Sequence, residues 1–185
     1  VLESFASVLR KPGVWMLGGV YFCIQMGVYA INFWLPSIIK ALGFQNPATI
    51  GWLSAIPYLM ACVFMILVGR SADRLRERRW HLCVPMLMGF VGLLIATVFS
   101  GNPVLAMLGL SIATMGVMTG VPMFWPLPAA FLGSAAAAGG LALINSLGQI
   151  AGFVSPYLVG WLKDATGSTQ IALYLLAAVL LGGTA

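Results

Sequence analysis

Gly69-Arg70-Ser71-Ala72-Asp73-Arg74-Leu75-Arg76-Glu77-Arg78-Arg79-Trp80-His81 is the stretch on which the reading of this chain turns. Five of the nine basic residues fall within it, and long apolar runs, 50–68 and 82–100, flank it on both sides. Each run approaches the roughly 20 apolar residues that a membrane-spanning helix needs. A short, strongly basic link between two such runs marks the cytoplasmic side of a membrane protein. The net charge of +5 is therefore a topology signal and not a sign of nucleic-acid binding.

Working outward, four more apolar segments are predicted, at 14–39, 104–132, 139–162 and 171–185, for six in all. The fourth is long and interrupted by Pro122, Pro126 and Pro128. Turn residues separate the segments, among them Gly43 to Pro47 and Gly101-Asn102-Pro103. The composition agrees: 61% of residues are hydrophobic, 7% are charged and the mean hydropathy is +1.02. A soluble domain carries roughly 25% charged residues, so lipid must cover most of this chain. The fold class is all-α, a polytopic six-helix membrane bundle. The start at Val1 and the stop at Ala185, inside an apolar run, read as a piece of a longer protein.

If the N-terminal side of the first segment is called inside, Arg10, Lys11, Arg70, Arg74, Arg76, Arg78 and Arg79 lie inside, and only Lys40 and Lys163 lie outside. That bias predicts that both ends of the chain face the cytoplasm. No Asp, Glu, Lys, Arg or His lies within the six segments. Cys23, Cys62 and Cys83 are odd in number and lack paired spacing, so they suggest neither disulfides nor a metal site. No cofactor is called for.

Polar side chains form stripes at helical spacing. Tyr21, Gln25, Tyr29 and Asn32 share a face of the first helix, with Trp34 opposite them, where it would suit the lipid interface. Ser111, Thr114, Met118, Pro122 and Trp125 share a face of the fourth. On the fifth, Gly148, Gly152, Pro156 and Gly160 recur every four residues, with Asn145 and Gln149 on the same broad face. Small residues at this spacing are predicted to let helix backbones approach closely. Amides and hydroxyls in hydrocarbon must face other helices or a cavity. Interhelical bonding is the usual fate of such groups, and lining a substrate cavity is the alternative for Gln25, Trp125 and Asn145.

The basic stretch resembles the loop signature of the major facilitator superfamily, G-x-x-x-D-R-x-G-x-R-R. Gly69, Asp73, Arg74, Arg78 and Arg79 match, whereas Arg76 replaces the second glycine, so the turn there is expected to differ. The run from Asn32 to Lys40, Glu77-Arg78-Arg79-Trp80-His81, and the stretches 140–148 and 156–168 are similar to the anion:cation symporter branch, which includes tartrate-like and phthalate-like permeases. The resemblance implies that residues 1–185 are the C-terminal half, helices seven to twelve, of a twelve-helix secondary transporter in the bacterial inner membrane. Its expected cargo is a small organic anion, a carboxylate or sugar acid, moved with a proton by alternating access. The N-terminal half of the same transporter is the implied partner and the source of the charged groups.

The resemblance also assigns roles. Trp125 and Asn145 match cavity positions on the tenth and eleventh helices, and Gln25, Tyr29 and Asn32 lie on the helix corresponding to the cavity-lining seventh. Gly69, Asp73, Arg74, Arg78 and Arg79 form the implied gating loop, 69–81. Two other classes would carry different marks. A permease subunit of an ATP-driven importer would want a coupling-helix loop in place of this signature. A membrane-embedded enzyme would need His, Asp or Cys clusters at the membrane face, and the chain has a lone His81.

Overall fold

The computed structural model describes residues 9–132 and 137–184. The remaining positions, including Ala185 at the end of the sixth apolar segment, lie outside the described residues. The elements are α1 (Pro12–Ala41), α2 (Pro47–Leu75), α3 (Arg79–Val98), α4 (Pro103–Phe124), α5 (Pro126–Phe131), α6 (Ala137–Thr166) and α7 (Gln170–Gly182). Among the described residues, five spans are long and apolar enough to cross a membrane, with α4 and α5 counted together as Pro103–Phe131. The sixth, α7, is a shorter apolar helix of 13 residues.

Local chemistry sets the helix ends. Asn46 and Asn102 each precede a proline at the first helical turn. Each accepts backbone N–H bonds, Asn46 from Ala48 at 2.9 Å and Asn102 from Val104 at 3.1 Å. This side-chain cap with a following proline starts a helix without leaving donors unsatisfied. Gly43 (φ 104°) follows α1 and Gly167 (φ 71°) follows α6, both in the left-handed region that favours glycine. The prolines of the fourth segment end α4 at Phe124, and Trp125 stands between α4 and α5.

Helices α1 and α4 form the centre. α6 lies parallel to α1, α2 lies on α4, and α3 and α7 pack behind. Lipid tails are as apolar as leucine, so close packing and interhelical hydrogen bonds decide which helices associate. The tightest seam joins α3 to α4 in antiparallel fashion. A Cβ on Gly92 would lie 2.3 Å from the Ala113 nitrogen, one on Gly109 would lie 2.4 Å from the Ala96 nitrogen, and one on Gly116 would lie 2.2 Å from the Pro85 carbonyl oxygen. These backbones touch, and only hydrogen fits between them.

The arrangement collects seven basic residues at one end of the bundle and Lys40 and Lys163 at the other. Four exposed tryptophans mark the ends as well, Trp15 and Trp80 at the basic end and Trp52 and Trp161 at the opposite one. Trp34 departs from the expected lipid-facing position. It packs toward Gly160 of α6, its ring lies 5.0 Å from the Lys163 ammonium, and its indole nitrogen is buried without a partner. The reason is that α6 runs alongside α1, and Gly160 leaves room for the Trp34 ring just as Gly148 and Gly152 do for the tyrosines of the stripe.

Candidate transport site

The α1 stripe stands against α6 because glycine leaves room for rings. A Cβ on Gly148 would sit 2.2 Å from the Tyr21 ring, one on Gly152 3.0 Å from the Tyr29 ring, and one on Gly160 3.5 Å from the Trp34 ring. The small residues of this series bring α6 close to α1, and rings fill the space they leave. Gly148, Gly152 and Gly160 accept aromatic side chains, and Pro156 continues the helix among them. The seam is pinned by Ser155, which is fully buried and donates to the Met26 carbonyl at 2.6 Å.

Within that seam the polar residues bond in sequence. The Tyr29 hydroxyl donates to Gln149 Oε1, and Gln149 Nε2 donates to Asn145 Oδ1 at 3.3 Å. From the other flank, the Tyr58 hydroxyl of α2 donates to Asn32 Oδ1 at 2.8 Å. Gln25 lies between Tyr21 and Tyr29 on the stripe. It is only 6% exposed, and its amide makes no hydrogen bond among the described residues. Tyr21 closes the inner part of the stripe. It stacks on Phe124 with ring centroids 4.8 Å apart and meets Trp125 edge-on at 4.9 Å. Trp125 is half-buried at the junction of α4 and α5, where its own backbone stays helical (φ −60°, ψ −31°).

Each of the three bonded amides uses its oxygen as the acceptor. Asn32, Gln149 and Asn145 thus keep N–H groups to offer, and all three are exposed on this half. Ser111 and Thr114 play no such part, since each hydroxyl returns to its own helix, donating to Met107 and Leu110 carbonyls at 2.8 and 2.7 Å.

The basic stretch is mostly helical. α2 runs through Leu75, Arg76 turns the chain in the left-handed region (φ 51°, ψ 29°), and α3 begins at Arg79. Arg78 donates to Asp73 at 2.7 Å, with 69% of the Asp73 side chain still exposed. Glu77 holds the start of α3, accepting from the Arg79 and Trp80 N–H groups at 2.9 Å each. His81 spans from Glu77 Oε2 (3.4 Å) to Ser71 Oγ (3.0 Å), tying α3 back to α2. Desolvation pushes the Glu77 carboxyl up, but the two backbone N–H groups and His81 outweigh it and hold it below the usual range.

A turn of this composition between the second and third spans, in an all-helical bundle, is accompanied by a match to the Major Facilitator Superfamily model over residues 1–156. The chain belongs to the Major Facilitator Superfamily.

Among its superfamily relatives, the chain is 44% identical over 97% of its length to a Pseudomonas putida protein named as a metabolite transporter, NicT. It is 38% identical over 97% to an Agrobacterium vitis protein named as a tartrate transporter. It is 35% identical over 95% to an Acinetobacter baumannii protein named as a quinolone resistance transporter. The chain spans 41%, 39% and 40% of those relatives' lengths. Membership in this superfamily of transporters separates the chain from the enzyme alternative and from ATP-driven permease subunits.

Of the residues singled out from sequence, the superfamily fold brings Gln25, Tyr29, Asn32 and Asn145 to one seam, with Trp125 at its inner end beside Tyr21. The signature residues Gly69, Asp73, Arg74, Arg78 and Arg79 gather at the α2–α3 turn. Sequence reasoning missed Tyr58, Ser155 and the Glu77–His81–Ser71 bracket. Glu77, two residues before Arg79 and four before His81, carried a local signal for a helix start. Tyr58 and Ser155 belong to none of the patterns singled out from sequence, because the role of each shows only with its partner on another helix, Asn32 and Met26.

Proposed function

We propose that this chain is the C-terminal half, helices seven to twelve, of a secondary transporter that moves a small organic anion together with a proton. On this reading it works by alternating access in the bacterial inner membrane, with both ends of the chain in the cytoplasm. The observation that supports the reading is the donor bias of the α1–α6 seam. Each of the three amide oxygens accepts one bond within the network, which leaves both N–H donors of Asn32 and Asn145 and one of Gln149, and no cation among the described residues of the seam, to face a solute. Such a surface solvates a carboxylate or a row of hydroxyls by hydrogen bonding, and charge compensation and proton carriage then fall to the N-terminal half. Gln25 supplies a further buried amide and Trp125 an apolar wall with an indole edge.

Asn145→Ala in the full-length transporter tests the site. Losing a hydrogen bond to a charged ligand costs roughly 1.5–3 kcal/mol, or about tenfold to a hundredfold in affinity. The expected result is that loss in solute affinity with an unchanged melting temperature. Unchanged affinity with a lowered melting temperature would remove Asn145 from the site and leave it as a helix contact.

The α2–α3 turn is proposed as the gate. The exposed Asp73–Arg78 pair contributes little to stability by itself, about 0–1 kcal/mol. The open side of Asp73 suits a second partner on the other half. Asp73→Asn is expected to slow uptake severalfold at saturating solute with normal expression. A wild-type uptake rate would rule the gating role out.

A further inference from the structure

Away from the polar seam, α2 and α3 both lie on α4 but scarcely touch each other, which leaves a shallow groove along α2, bordered by α4 over most of its length and by α3 only near the basic end. Its middle section, about 400 Å³, lies between Met60, Phe64 and Leu67 of α2 and Met115 of α4. Through Met60 it continues toward Met107 and Phe44, and through Phe64 toward Trp80 on α3. Its lining is almost wholly apolar. Through Leu67 it reaches the face of α2 that carries Arg70, Ser71 and Arg74 at the basic end.

Arg70 and Arg74 sit one helical turn apart on the same side of α2. Both are exposed, and neither makes a hydrogen bond or ion pair among the described residues. The acid nearest in sequence, Asp73, is engaged by Arg78, and Ser71 accepts or shares a bond with His81.

We infer that this groove holds one anionic phospholipid, with the headgroup phosphate on Arg70 and Arg74 and an acyl chain running toward Met60. Arg70 and Met60 are ten residues apart, about 15 Å along the helix. That is half of a hydrocarbon core roughly 30 Å thick, the depth of one leaflet. Two free guanidinium groups at headgroup level complement a phosphate, and exposed Trp80 beside the groove is the side chain expected at that depth. A polar solute is a poor occupant of the apolar section. The inference stands whatever solute the seam carries.

The test uses the full-length protein in detergent, titrated with phosphatidylglycerol, phosphatidylcholine or inorganic phosphate, with bound lipid counted by native mass spectrometry. Phosphatidylglycerol is expected to bind tighter than phosphatidylcholine. Arg70→Gln with Arg74→Gln is expected to lower its affinity by roughly tenfold or more and leave phosphatidylcholine unchanged. Met115→Trp, which fills the groove, should weaken both lipids, and Leu67→Trp serves the same purpose should the first variant fail to fold. Equal affinity for the two lipids, no effect of the arginine substitutions, or full competition by inorganic phosphate would each overturn the site. So would a cross-link from Leu67→Cys to a segment outside residues 1–185, which would show that protein and not lipid covers the groove.

Discussion

Two glycine-rich seams run through the bundle and they are built on opposite terms. Between α3 and α4, glycines bring backbone against backbone, with would-be Cβ atoms 2.2 to 2.4 Å from peptide atoms at Gly92, Gly109 and Gly116. Between α1 and α6, the glycines hold back-chain space for the rings of Tyr21, Tyr29 and Trp34, and amides and hydroxyls fill what remains. The first seam has no give, because a peptide group cannot step aside. The second is filled by side chains with rotamers, which can re-pair while the helices stay in register. Rigidity is placed behind, and adjustable chemistry is placed at the proposed site.

The sharpest way to break this contrast is Gly92→Ala. Its methyl group would meet the Ala113 nitrogen at 2.3 Å and its Cα at 2.7 Å, so a helix must move. A loss of about 3 kcal/mol is expected, seen as a large fall in melting temperature or failure to purify a folded protein. A normal melting temperature would mean that the α3–α4 seam is looser than drawn.

Gly148→Ala adds the same methyl to the other seam. Its clash is with the Tyr21 ring, which can tilt, though it must then push on Phe124 and Trp125. The expected cost is about 1–2 kcal/mol, accompanied by a changed tryptophan emission spectrum and altered uptake. If Gly148→Ala proves as damaging as Gly92→Ala, the two seams do not differ in kind.

The smallest effect is expected at Arg76→Gly. The left-handed conformation costs an ordinary residue about 1–2 kcal/mol, and the more flexible unfolded chain of glycine takes back part of the relief. A gain of about 0.5–1 kcal/mol is expected, seen as a modest rise in melting temperature. No rise would show that the arginine side chain earns its place by a contact at the turn.

Hydropathy made the helices legible because lipid demands apolar length, and the prolines at 122, 126 and 128 foretold the break at Trp125. It misplaced the end of α2. The apolar run stops at Val68, whereas the helix continues to Leu75, since Arg70, Asp73 and Arg74 leave the hydrocarbon without leaving the hydrogen-bond ladder. The four-residue glycine series on α6 was conspicuous, but what it faced was not. The closer seam carries small residues at three- and four-residue spacing on both helices, Gly89, Gly92 and Ala96 on one and Gly109, Ala113 and Gly116 on the other, a pattern of mixed glycine and alanine that the sequence reading did not single out. The seam of Tyr29, Asn32, Gln149 and Asn145 followed from helical periodicity, whereas Tyr58 required knowing which helix lies alongside.

The exposed tryptophans have a consequence for where this protein can work. On α2, Trp52 and Arg70 are eighteen residues apart, about 27 Å along the axis. Indoles at one level and guanidinium groups at the other act as a gauge, because each prefers the interface to the interior. A bilayer a few ångströms thicker would pull Arg70 toward hydrocarbon or force α2 to stand straighter, and a thinner one would tilt it. Since α2 ends in the turn that carries Asp73 and Glu77, a change in lipid chain length alone would be felt there as a change of helix tilt.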